Sequence, residues 1–67
     1  MLLSELENVI NENTHVKISI AYGYKNWNRY RKWDCKWKEI KEEESKEDLT
    51  VETIEPHEGY LFITVHR

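Results

Sequence analysis

The chain has 67 residues, with ten Lys or Arg against thirteen Asp or Glu, and a formal net charge of −3. That length makes one small domain, 1–67, with a core thin enough that oligomerisation, a metal or disulfides often assist it; the single cysteine excludes an intramolecular disulfide. Two glycines and one proline exclude collagen-like and low-complexity classes, and the mild net charge gives no global argument for nucleic acid or membrane as a partner.

The segment Met1-Leu2-Leu3-Ser4-Glu5 has no basic region ahead of an apolar stretch, so a signal peptide is not expected. Apolar runs are only a few residues long, too short to span a membrane. A cytoplasmic location is the expectation. Residues 4–11 read as a short helix, because Leu2, Leu3, Leu6, Val9 and Ile10 follow one helical face. Ser4 with Glu7 forms a capping-box pattern, and Asn11 and Asn13 suit a helix stop. Two turns are unstable alone, so this helix needs a surface to dock on.

His15 to Tyr22 supplies one. Val16, Ile18, Ile20 and Tyr22 alternate with smaller or polar residues, the pattern of a half-buried strand. Residues 29–40 fit two periods. As a strand, Arg31, Trp33, Cys35 and Trp37 share a face; as a helix, Tyr30, Trp33, Trp37 and Ile40 do. Aromatic content and the absence of Leu and Ala favour the strand. Residues 39–48 follow as an acidic connector, a polar turn of helix or a loop. Thr50–Glu55 and Tyr60–His66 then read as a hairpin joined by Pro56-His57-Glu58-Gly59. Leu61, Ile63 and Val65 face one way on the last strand, and Tyr60, Phe62, Thr64 and His66 the other. The expected fold class is α+β: an N-terminal helix packed on an antiparallel sheet of about four strands, in the order α-β-β-β-β with the acidic connector inside.

Charge and aromatics are partitioned. Residues 25–38 hold Lys25, Arg29, Arg31, Lys32, Lys36 and Lys38 against Asp34 alone. Six of the eight aromatic residues fall within residues 22–37, including all three tryptophans. Rings that stack on bases and cations that neutralise phosphates make a nucleic-acid or nucleotide platform. Trp, Tyr and Arg are equally the residues of protein-binding hot spots. Trp33 and Trp37 have a plainer use as core and as anchors of the hairpin. Trp27, in the turn Lys25-Asn26-Trp27-Asn28, has no core to reach and points to binding.

Chemistry finds less support. His15, His57, His66 and Cys35 lack the spacing of a zinc site. There is no phosphate-binding glycine loop and no nucleophile motif. Cys35 beside Trp33 reads as an inert, buried thiol. Neither a cofactor, a metal nor an enzymatic activity is expected.

The two ends of the chain carry a resemblance. Residues 3–18, Leu3-Ser4-Glu5-Leu6-Glu7-Asn8-Val9-Ile10-Asn11-Glu12-Asn13-Thr14-His15-Val16-Lys17-Ile18, and the close from Leu49 to Val65 resemble small phage and prophage accessory proteins of Gram-positive bacteria. The matching segments cover roughly half of the chain, and 23–48 departs from the pattern. The resemblance implies a mobile-element origin and an anti-defence, anti-CRISPR-like role exerted by binding. On this reading the chain is a non-catalytic protein that binds and inhibits a bacterial defence protein, a CRISPR nuclease first. Its contacts would be Trp27, Arg29, Tyr30, Arg31, Lys32, Lys36 and Lys38. Two other readings stand beside it: a binder of single-stranded nucleic acid or a nucleotide signal through the same hairpin, and a structural protein acting as an oligomer. The acidic run 39–48 is an alternative contact surface. Self-association as a dimer is expected, since such a sheet leaves an edge uncovered.

Overall fold

The computed structural model describes the backbone of all 67 residues and every side chain except that of Glu47. Four strands form one sheet: β1 (His15–Tyr22), β2 (Asn28–Lys36), β3 (Thr50–His57) and β4 (Tyr60–His66). They lie in the order β2-β1-β4-β3. β1 pairs antiparallel with β2 and β3 antiparallel with β4, but the central pair, β1 and β4, is parallel.

The expected α+β arrangement therefore does not form. The protein is mostly sheet, the sheet is mixed, and no N-terminal helix packs on it. In place of the helix expected over 4–11, only Leu3–Leu6 form a turn of 3-10 helix, with no side-chain cap at its start. The reason lies in how this segment is tied. The Leu3 amide donates to the Leu49 carbonyl (2.8 Å), the Val51 amide donates to the Met1 carbonyl (2.7 Å), and Leu2 bridges Thr50. These bonds hold Met1 and Leu2 extended along the start of β3. Only Leu3 and Leu6 are then drawn into the core, while Val9 stays 74% exposed. A regular helix would have nothing to bury along the rest of its stripe.

The parallel pair needs a crossover. After β2, on one edge, the chain forms a single helical turn, α1 (Trp37–Ile40), then a 3-10 turn at Glu44–Asp48, and enters β3 on the opposite edge. Three inter-strand steps span roughly 14 Å at about 4.8 Å each, which the connector crosses along one face of the sheet. That face holds the core. Leu3, Leu6, Trp37, Ile40 and Leu49 pack on Val16, Ile18, Ile20, Ile63 and Val65, with Trp33, Cys35, Val51, Leu61 and Ile10 at the margin. Burying each large apolar side chain contributes roughly 1.5–3 kcal/mol relative to leaving it in water. The other face has no layer over it.

One irregularity in the first hairpin sets which residues of β2 face which way. The β1–β2 register slips between Ile18 and Ser19: Ile18 faces Trp33, but Ser19 faces Arg31. Lys32 is the extra residue of this β-bulge. It reverses the alternation expected for 29–37, so Arg31 lies opposite the face of Trp33 and Cys35. An Arg31–Asp34 ion pair at i,i+3 (3.3 Å) follows from the same reversal. Trp37, expected as the end of that strand, is instead the first residue of α1 and is fully buried. In the second hairpin a two-residue loop joins His57 to Tyr60. Gly59 sits there at φ +86°, a conformation side-chain-bearing residues rarely adopt.

The connector is not a solvated strip throughout. Lys46 is 3% exposed, and its ammonium donates to the carbonyls of Lys41 and Glu43 and pairs with Glu7 Oε1 at 2.7 Å. It clips the end of α1 and the 3-10 turn to the N-terminal segment.

Candidate functional site

The β1–β2 hairpin projects an aromatic tip. β1 ends at Tyr22, and the chain turns through Gly23–Trp27 into β2. The turn is built from left-handed residues in close succession: Gly23 at φ +82°, Lys25 at +53° and Asn26 at +58°. Glycine and asparagine accept that region readily, but lysine does so at a cost of about 1–2 kcal/mol. Backbone bonds hold the shape, from Asn26 N–H to the Gly23 carbonyl (3.1 Å) and from Trp27 N–H to the Tyr24 carbonyl (3.2 Å). The Arg29 guanidinium donates to the Asn26 and Asn28 carbonyls. A Cβ on Gly23 would lie 2.7 Å from Asn28 Nδ2. The tip is thus an ordered turn whose bonds over-determine a strained backbone.

The turn drives four aromatic rings outward. Tyr24 and Trp27 are 81% and 78% exposed, and Tyr22 and Tyr30 about half. Tyr22 and Tyr30 meet edge to face, 5.4 Å between centroids. Beside them a cleft of about 280 Å³ is lined by Ile20, Ala21, Tyr22, Gly23, Asn26, Tyr30 and Arg67. Lys25 stands over the Tyr24 ring at 5.4 Å.

The seven residues expected as contacts do not share one surface. Trp27 and Arg29 are at the tip, and Tyr30 flanks it on the core side of the sheet, opposite Ile20. Arg31 and Lys36 face the open side, paired across from Ser19 and His15. Lys32, the bulge residue, lies over the Trp33 ring at 5.7 Å. Lys38 belongs to α1 and lines a polar cleft with Glu7, Glu12, Lys41 and Glu42, away from the hairpin tip. Tyr22 and Tyr24 were missing from that set, although the sequence places them directly before the basic stretch. Of the three indoles, Trp37 is sealed in the core, Trp33 is half-buried against it, and Trp27 is free.

On the open face, the carboxylate of Asp34 bonds the His15 ring and pairs with Arg31. The His15 hydrogen bond, with help from the Lys17 and Arg31 charges, holds Asp34 below its ordinary pKa. Burial, with Glu39, Asp34 and Glu43 nearby, pushes the Cys35 thiol up, which disfavours the nucleophilic thiolate. Among the described residues no group of three His, Cys, Asp or Glu is arranged to hold a metal ion, and no helix is long and apolar enough to cross a membrane. Comparisons with protein-family models, with curated proteins and with solved structures find no match.

Proposed function

We propose that the chain is a non-catalytic binding protein that grips another protein with the tip of its first hairpin. One observation carries this reading: Tyr24 and Trp27 stand about four-fifths exposed on a turn whose backbone is fixed and strained. Large aromatic rings on a fixed backbone have few rotatable bonds to freeze on docking, and they are the side chains that dominate protein-binding hot spots. The neighbouring cleft between Tyr22 and Tyr30 can receive a side chain from the partner, and Lys25 and Arg29 add local positive charge. The resemblance of both chain ends to phage accessory proteins makes a bacterial defence protein, a CRISPR nuclease first, the partner to test.

The experiment is a set of purified CRISPR effector complexes and other defence nucleases, assayed for cleavage with the wild-type chain and with Tyr24→Ala/Trp27→Ala. The wild type should inhibit one of them, and the double variant should bind about 30-fold or more weaker, the loss of a hot-spot pair, with an unchanged melting temperature. Inhibition that survives the double change removes the tip from the contact. Failure of the wild type against every nuclease removes the defence-protein assignment.

A further inference from the structure

The uncovered face of the sheet is a second surface, separate from the tip. Register places its rows. Lys36, His15, Tyr60 and His57 form one end; Asp34, Lys17, Phe62 and Glu55 come next; Arg31, Ser19, Thr64 and Thr53 follow. The middle is low, because Ser19, Thr64 and Ala21 are small and sit nearly buried between taller neighbours. The two aromatic residues outside the 22–37 cluster, Tyr60 and Phe62, both stand on this face of the central strand β4. Each already has a cation against its ring. The Lys17 ammonium is 4.4 Å from the Tyr60 centroid, and the Arg31 guanidinium is 6.0 Å from that of Phe62. His57 stacks on Tyr60 at 4.8 Å with an 8° interplanar angle, which extends the aromatic surface to β3.

Charge is sorted between the two sides of the sheet. Residues 1–14 and 37–49, which supply the covering layer, contain nine of the thirteen acidic residues and three of the ten Lys and Arg. The strands, hairpin turns and C-terminal residue hold the other seven cations against four acids. Of the acids on the open face, Asp34 is paired with Arg31 at 3.3 Å, and Glu55 lies 3.7 Å from the His57 ring. The net charge of −3 therefore hides a face on which cations alternate with aromatic rings.

We propose that this open face binds single-stranded nucleic acid. Unpaired bases stack on Phe62 and on the Tyr60–His57 pair, and Lys17, Arg31 and Lys36 hold the phosphates between them. Rings and cations in alternation match the repeat of bases and phosphates along a strand. A duplex offers no free base faces, so stacking selects single strands. The low centre floored by Ser19 and Thr64 gives the sugar-phosphate chain room to cross the strands.

The test is fluorescence anisotropy with a labelled 12-nucleotide oligouridylate and oligothymidylate at about 50 mM salt, set against a duplex of the same length. The wild type should bind the single strands and prefer them to the duplex. Its affinity should fall with salt at a log–log slope of about −1.4 to −2.1 for two or three phosphate contacts. Phe62→Leu, which keeps apolar bulk but removes the ring, should weaken binding about tenfold. Lys17→Glu should weaken it at least as much, whereas Lys38→Glu, the same charge change on the covering layer, should leave it within about twofold. Circular-dichroism melts confirm that each variant is folded. Absence of binding by the wild type, equal affinity for the duplex, or equal losses in Lys17→Glu and Lys38→Glu would each overturn the proposal. So would equally effective competition by polyglutamate, which would assign the face to an acidic protein surface.

Discussion

Replacing Lys46 with methionine tests whether a buried cation holds the covering layer in place. The side chain is 3% exposed, and its ammonium spends three bonds, on the Lys41 and Glu43 carbonyls and on Glu7. Methionine keeps most of the stem and loses all three. A hydrogen bond to a charged group contributes about 1.5–3 kcal/mol in favourable cases. Two considerations reduce the sum. Glu7 is about one-third exposed, so its carboxylate rehydrates when the lysine goes, and the freed carbonyls lie beside the exposed residues 42–44. A net loss of about 2 kcal/mol is expected, which lowers Tm by roughly 8–16 °C in a domain this small. Glu7→Gln keeps an oxygen acceptor and should lose about 1 kcal/mol. Because Glu7 acts through Lys46, the double variant should be no less stable than Lys46→Met alone, a coupling of about 1 kcal/mol. Urea unfolding followed by circular dichroism measures all four proteins. Replacing buried ion pairs with apolar residues is sometimes neutral or stabilising. A Lys46→Met variant within about 0.5 kcal/mol of wild type, or strictly additive losses, would refute the reasoning.

Trp37 is fully buried and its Nε1 has no hydrogen-bond partner, so Trp37→Phe removes an unsatisfied donor while leaving a small void. The two effects offset, and unfolding free energy should stay within about 1 kcal/mol of wild type, whereas Trp37→Ala should lose about 3–5 kcal/mol. Gly23→Ala, at φ +82° and with Asn28 Nδ2 at 2.7 Å from the new Cβ, should destabilise by about 1–3 kcal/mol. Gly59→Ala meets only the strain of φ +86° with nothing within 4 Å, so chemical denaturation should show the smaller loss there, about 1 kcal/mol. Asp34 has a depressed pKa in the folded protein, owing first to its His15 hydrogen bond. The stability it contributes is present above its unfolded value near 3.8 and is lost as pH falls through the lower folded value. A urea-midpoint series should therefore decline less steeply in Asp34→Asn than in wild type as pH drops below about 4.

What the sequence revealed of this fold followed alternation, and what it hid followed long-range pairing. Val16, Ile18 and Ile20, like Ile63 and Val65, are buried where a period of two put them; β1 and β4 span the expected residues, while β2 ends at Lys36 rather than 40 and β3 continues through Pro56 and His57, expected in the turn. The helix at 4–11 misled, because the stripe from Leu2 to Ile10 is real but only Leu3 and Leu6 are fully used. The tie from Met1–Leu3 to residues 49–51, nearly fifty residues away, decides the backbone there. The parallel β1–β4 pair was illegible for a similar reason: each strand is equally apolar with either neighbour, so no local pattern sets its partner.

The bulge at Lys32 had the largest functional consequence. Strict alternation puts Arg31 beside Trp33 and makes one basic-aromatic ribbon of residues 25–38. One extra residue in β2 turns Arg31 onto the open face, where it reaches Asp34 and Phe62. The single ribbon is thereby divided into an aromatic tip and a cationic face. This division predicts separable effects. Replacing Arg31 with glutamine takes the cation away from Phe62, while Tyr24 and Trp27 keep their turn. Oligouridylate binding should fall about tenfold in Arg31→Gln, and inhibition of a protein partner should persist. If both activities fall together while the variant remains folded, the tip and the face are one surface and the division drawn from the register is wrong.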